Sequence, residues 1–239
     1  SLPTNSDPAP PPPHIATKKK KKRSLGFRNA LSIIETAFAK TNDVFTDIFI
    51  DAGNVGAFAL HALQLRAYPG SLCYTSLAMG GMGNTIGISI GAAIARQNRN
   101  EKFKSYVFIG DGSFLISGLE IHTAIQENLP IVFLIFNNNS HGMCSTREQV
   151  FFGTTTGLNN FQPSFFGRGL CHIWPTLRNY EVETEIELQQ ALSHFSDGIG
   201  PCVISLRIQV TDETVPFRTF DLQKIRQKSK SPQYELEEP

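Results

Sequence analysis

Residues 131–136, Ile-Val-Phe-Leu-Ile-Phe, are apolar without interruption. A strand with one wet face alternates polar and apolar side chains. An unbroken run instead fits a strand covered on both faces, as in a parallel sheet flanked by helices. Residues 105–110 (SYVFIG), 47–52 (DIFIDA) and 202–208 (CVISLRI) read the same way. Between these runs the spacing turns helical. Phe27, Leu31, Ile34 and Phe38 predict an amphipathic helix over 27–41, and Ile and Ala among small residues predict a buried one over 82–96. Further helices are expected over 119–127 and over 184–195, the last with Thr184 as cap and Glu187 three residues on. The alternation predicts an α/β fold, a doubly wound parallel sheet with helices on both faces, over residues 27–210 with no internal repeat.

Composition excludes several classes. No apolar run among the 239 residues reaches the roughly 18 to 20 that a membrane span needs. The N-terminus is polar, then Pro-rich, then basic, unlike a secretory signal. Cys73, Cys144, Cys171 and Cys202 lie far apart with no C-x-x-C pair, so a disulfide scaffold or zinc ribbon is not expected, and reduced thiols point to a cytoplasmic protein. Residues 1–26 read as a disordered Pro-rich and basic tail or linker, and 211–239 as a C-terminal tail. Residues 1–23, with Lys18 to Arg23, carry a net +5, which leaves −4 for the rest of a chain of net +1. The folded part is thus mildly acidic, which argues against nucleic-acid binding.

In such a sheet, ligands sit outside the carboxyl ends of the strands. Three sets of loops leave strand ends here: Asp51-Ala52-Gly53-Asn54; Gly80-Gly81-Met82-Gly83; and Gly110-Asp111-Gly112-Ser113 paired with Asn137 to Met143. A carboxylate at one strand end and an amide oxygen at the next lie side by side if the strands are neighbours. Asp111, Asn138 and the carbonyl of Ser140 would then give a magnesium ion hard oxygen ligands on one side. The glycines beside Asp111 let the backbone approach a diphosphate, and N–H groups at the following helix start would bind it. Taken singly, these residues have plainer readings. Gly-Asp-Gly is commonly a turn, Met82 and Met143 could be core residues, Asn54 a helix cap, His141 a surface histidine and Glu120 structural. An ordinary nucleotide-binding domain lacks support, because no G-x-G-x-x-G or G-x-x-x-x-G-K-[ST] element follows a strand.

Gly110-Asp111-Gly112-Ser113 followed by Asn137-Asn138 resembles the cofactor-binding motif of thiamine diphosphate-dependent enzymes. The stretch GDGSFLISGLEIHTAIQENLPIVFLIFNNNSHGM resembles the C-terminal, diphosphate-binding domain of the acetolactate synthase and 2-oxo acid decarboxylase group. TSLAMGGMGNTIGISIGAAIA is similar to the segment whose Met holds the cofactor bent, and IFIDAGN to the strand and turn that open the domain. The resemblance implies thiamine diphosphate and Mg2+ as cofactors. Asp111, Asn138 and Ser140 would ligate the metal. Gly110, Gly112, Ser113, His141 and Gly142 would line the diphosphate, with Asn54 as a further polar contact, and Gly80, Met82 and Met143 would hold the rings. It implies decarboxylation of a small 2-oxo acid, followed by release of the aldehyde or its ligation to a second carbonyl.

Two departures qualify this. The family completes its site with a pyrimidine-binding domain that supplies an activating glutamate, and this chain has room for only one such domain. The missing half is expected from a partner domain or subunit in a hetero-oligomer or homo-oligomer, or the chain is a fragment. A non-catalytic stabilising or regulatory subunit is the alternative, against which the intact Asp111 and Asn138 pair argues. Secondly, where acetolactate synthases place an aromatic residue near the substrate, this chain runs Cys144-Ser145-Thr146-Arg147. Arg147 would face the substrate entrance and favour an anionic group, unless it is a surface arginine paired near Glu148.

Overall fold

The computed structural model describes residues 25–38, 44–63, 69–195 and 199–208; most of both expected tails, with the basic run, lies outside them. Six strands form one sheet: β1 (Phe45–Ile50), β2 (Cys73–Thr75), β3 (Phe103–Gly110), β4 (Ile131–Asn137), β5 (Arg178–Val182) and β6 (Cys202–Arg207). All pairings are parallel, in the order β2-β1-β3-β4-β6-β5. The helices are α1 (Phe27–Phe38), α2 (Asn54–Ala62), α3 (Asn84–Asn98), α4 (Asp111–Ser117), α5 (Ile121–Gln126), α6 (Gly142–Phe152), α7 (Phe166–Ile173) and α8 (Glu185–Ser193).

The unbroken apolar runs have the expected cause. Every residue of β4 is buried. Because side chains alternate across a strand, Val132, Leu134 and Phe136 join an apolar layer with α1, α2 and α8, while Ile131, Phe133 and Ile135 join a second layer with α3, α5 and α7. The sheet is therefore covered on both faces, as a doubly wound α/β domain requires.

Several boundaries differ from expectation. Helix α3 starts at Asn84 because Gly83 before it is left-handed, φ 82°. A continuous helix over 119–127 does not form: α4 starts directly after β3, and a 3-10 turn over Gly118–Glu120 leads into α5. The bend is set by Gly118, where a Cβ would meet the Phe114 ring at 2.7 Å. Strand β1 ends before Asp51, which frees Asp51 for the loop. Thr184 caps α8 as expected, in a full capping box with Glu187. The elements α2, β2, α7 and β5 had no strong sequence signal: β2 spans three residues, and β5 (RNYEV) is a partly exposed edge strand.

The chain runs from β1 outward to β2, then crosses to β3 on the other side of β1. The reversal leaves a crevice at the carboxyl ends of β1 and β3, the usual ligand position in open α/β sheets.

Candidate functional site

The segments leaving β1, β2, β3 and β4 line a cavity of about 390 Å³ in that crevice. Every residue expected to touch cofactor, metal or substrate lines it. Asn54 comes from the first loop and Gly80 and Met82 from the second. Gly110, Asp111, Gly112 and Ser113 follow β3, while Asn138, Ser140, His141, Gly142, Met143 and Arg147 follow β4.

Strands β3 and β4 are neighbours, with Gly110 opposite Phe136, so Asp111 and Asn138 emerge side by side. Asp111 is 2% exposed. Its Oδ1 accepts from Gly112 N–H at 2.9 Å and its Oδ2 from Ser140 N–H at 3.2 Å. The Ser140 N–H also donates to Asn138 Oδ1 at 2.9 Å. One donor thus gathers both side-chain oxygens around a common point. Burial pushes the Asp111 carboxyl above its ordinary value, opposed by the backbone N–H groups of Gly112, Ser140, Asn139 and Asn138. The Ser140 carbonyl accepts from Gly142 N–H at 2.8 Å, which occupies one of its two lone pairs. Among the described residues no group of three or more His, Cys, Asp or Glu could hold a metal. The donors gathered here are a carboxylate, an amide oxygen and a carbonyl, a hard-oxygen set that suits magnesium.

The three consecutive asparagines divide the work. Asn137 is buried, and its amide donates to the Ser164 carbonyl at 2.9 Å while its Oδ1 accepts from Asn139 N–H at 3.1 Å. Asn139 takes a left-handed φ of 54°, and its Oδ1 accepts from Ser164 N–H at 2.9 Å. These two fasten the loop to residues 159–164, and Asn138 is the one that lines the cavity. His141 is no ordinary surface histidine. Its ring edge meets Phe161 with centroids 4.6 Å apart, and it covers Gly112 so closely that a Cβ there would lie 2.6 Å from Nδ1.

The opposite wall hangs on Asp51, which sequence reading quoted but did not select. Fully buried, it accepts from Gly83 N–H on both oxygens, at 3.1 and 3.0 Å, and from Thr85 Oγ1 at 2.8 Å. Ser117 Oγ donates to the Gly83 carbonyl at 2.7 Å, which ties this turn to α4. Asp51 thereby fixes the turn that carries Gly80 and Met82. Its signal in the sequence was a charged residue directly after an apolar strand. Asn54 is not a cap: it is the first residue of α2, Gly53 occupies the cap position, and no side chain caps the helix. Met82 is 39% exposed, and Met143 is half-buried, so neither is a core methionine. Sequence reading missed part of the apolar lining, including Val55, Leu77 and Phe136. It read Phe27 as core only; Phe27 stacks on Phe136 at 4.6 Å and also lines the cavity.

Helices α2, α4 and α6 all begin at this cavity, and none has a side-chain cap. By contrast α8 carries a full capping box. An uncapped helix start presents backbone N–H donors and the positive end of the helix dipole. Three of them meet around one crevice, and although Gly112 N–H is engaged by Asp111 Oδ1 and Gly142 N–H by the Ser140 carbonyl, the dipole ends still favour an anion such as a diphosphate.

Residues 51–206 match the family described as thiamine pyrophosphate enzyme, C-terminal TPP binding domain. The chain is 27% identical over 157 residues to the acetolactate synthase isozyme 1 large subunit of Escherichia coli, covering 63% of this chain and 26% of that one. It is 29% identical over 141 residues to a pyruvate decarboxylase of Aspergillus terreus, covering 57% and 24%. The fold is shared with benzoylformate decarboxylase from Polynucleobacter necessarius, with a TM-score of 0.66, 18% identity, and coverage of 85% of this chain and 35% of that one. The chain thus spans about a quarter of the length of the curated relatives it matches. On the family match, the fold and the strand-end site, the chain belongs to the thiamine pyrophosphate enzymes, as their C-terminal TPP-binding domain.

Proposed function

We propose that this domain holds the diphosphate of thiamine diphosphate through a magnesium ion, in an enzyme that decarboxylates a 2-oxo acid and releases the aldehyde or ligates it to a second carbonyl. The observation that carries this reading is the pairing of Asp111 and Asn138 around one backbone N–H, beside three uncapped helix starts. Asp111, Asn138 and the Ser140 carbonyl would hold the metal, and Gly112, Ser113 and Gly142 would line the diphosphate, with Asn54, Gly110 and His141 beside it. Gly80, Met82 and Met143 would hold the rings. When bound, the cofactor supplies the electron sink for cleavage of a carbon–carbon bond, and the protein supplies orientation and a dry pocket.

No glutamate is among the described residues that line the cavity. The reading therefore includes a pyrimidine-binding domain, from a second polypeptide or from further along a longer chain, that brings the activating glutamate. Leu115, Ile116 and Leu119 are exposed on α4 and the turn after it, and the Gly83–Ser117 contact links them to exposed Met79 and Met82. Such an apolar rim beside the cavity suits burial under another domain.

Isothermal titration of the protein with thiamine diphosphate, with and without magnesium, tests the reading. Wild type is expected to bind only with the metal, and Asp111→Ala to lose that binding. Full affinity in Asp111→Ala would refute the assignment.

A further inference from the structure

This inference rests on the reading above and names the substrate class of the same site. Among the described residues, Arg147 is the only lysine or arginine that lines the cavity. It stands on the second turn of α6, and its Nη2 meets Met143 Sδ at 3.6 Å, so the side chain folds back over the preceding turn. The adjacent carboxylate is not its partner. Glu148 accepts from Thr156 Oγ1 at 2.8 Å and Thr156 N–H at 3.1 Å, facing the loop after the helix. The Lys or Arg ion pairs among the described residues join Arg96 to Asp47 and to Glu101, and none involves Arg147. Arg147 is thus exposed, as a surface arginine would be, but among the described residues it is not paired with Glu148.

An exposed guanidinium with no carboxylate partner among the described residues, on a cavity also lined by the apolar Leu77, Phe136 and Met143, suits an anion from the ligand. The diphosphate is the weaker choice, because the reading above places it at Gly112, Ser113 and Gly142, whereas Arg147 touches Met143, assigned there to the rings. Within a 2-oxo acid, the carboxylate that leaves as carbon dioxide is also a poor partner. Its negative charge is lost as the carbon–carbon bond breaks and neutral carbon dioxide leaves. A cation held on it would stabilise the ground state more than the transition state and slow the reaction. The productive partner is a group that keeps its charge throughout. We propose that Arg147 selects 2-oxo acid or acceptor substrates bearing a second anionic group, a carboxylate, sulfonate or phosphonate, over singly charged acids such as pyruvate.

The test uses the native assembly purified from its source and saturated with thiamine diphosphate and magnesium. Non-reacting mimics, propionate against succinate and 3-sulfopropionate, are titrated calorimetrically. Wild type should bind the two dianions at least about tenfold more tightly than propionate, a single charge-assisted pair's worth of discrimination. Arg147→Gln should bring the ratio to within about twofold while leaving thiamine diphosphate affinity unchanged, and Arg147→Lys should fall between. A ratio that survives Arg147→Gln, or no ratio in wild type, overturns the proposal. So does a tenfold loss of cofactor affinity in Arg147→Gln, which would assign the guanidinium to the diphosphate. Failure of wild type to bind thiamine diphosphate at all would overturn the underlying reading and this inference with it.

Discussion

At the residue scale, two glycines separate the demands of function from those of folding. A Cβ on Gly112 would lie 2.6 Å from the His141 ring, a side chain that can shift, whereas a Cβ on Gly167 would lie 2.4 Å or less from the backbone of Tyr180 and Glu181. Gly112→Ala should therefore fold with a loss of about 1 kcal/mol but displace His141 into the cavity and weaken cofactor binding at least tenfold. Gly167→Ala has no side chain to push aside and should cost about 3 kcal/mol by forcing α7 off β5. Thermal unfolding and cofactor titration, run on both, separate the two effects. Full cofactor affinity in Gly112→Ala would remove His141 from the site. Gly112 stood inside a recognisable motif, but Gly167 did not, since its constraint is a contact between segments that sequence does not relate.

At the scale of elements, the carboxyl end of β1 carries the site and its other half carries an anchor. Asp47, fully buried, receives Arg96 of α3 through Nε at 2.7 Å and Nη2 at 2.8 Å. Arg96 also reaches Glu101 at 2.8 Å and the Gly70 carbonyl at 2.7 Å, and its guanidinium lies over the Phe45 ring at 4.2 Å. This cluster sets the distance of α3 from β1, and so the place of the Gly80 to Gly83 turn at the helix start. Arg96→Ala leaves a carboxylate buried without its cation and should cost about 3–5 kcal/mol, read by urea unfolding. Arg96→Lys should recover only part of it, because an ammonium cannot donate the paired fork. A loss below about 1 kcal/mol in Arg96→Ala would show the cluster to be incidental. Neither partner stood out in the sequence, where Asp47 opened an apolar strand and Arg96 closed a helix 49 residues later.

At the scale of the whole molecule, stability against pH should reflect the double-sided core. Tyr106 points into the layer under α1 and α8, against Phe38 at 4.5 Å and Phe195 at 6.3 Å. Burial pushes its phenol from 10.0 up to about 12. The folded state keeps the proton over a range in which the unfolded chain releases it. Its contribution is therefore fully present below pH 10 and is lost as pH rises to about 12. The loss amounts to about 2 to 3 kcal/mol across that window. Tyr106→Phe should flatten this alkaline decline in chemical unfolding; an unchanged slope would place its cause elsewhere. The decline is global because the phenol sits between sheet and helices, so its ionisation is resisted by the same packing that holds the fold.

The sequence by itself determined the layered architecture and which polar and glycine-rich loops line the cavity. Unbroken apolar strands can be satisfied only by cover on both faces, and the polar and glycine-rich loops after three of them come together at one cavity. Local chemistry sufficed there, because carboxylate, amide and glycine at strand ends mean the same thing in any such sheet. Only the tertiary structure decided that β3 and β4 are neighbours, which turns Asp111 and Asn138 from two loop residues into a pair. It alone separated Asn138 from Asn137 and Asn139, made Asp51 a buried fastener, and turned Glu148 away from Arg147. Each of these depends on contacts between segments distant in the chain, and burial and hydrogen-bond geometry at such contacts are fixed by packing rather than by neighbouring residues.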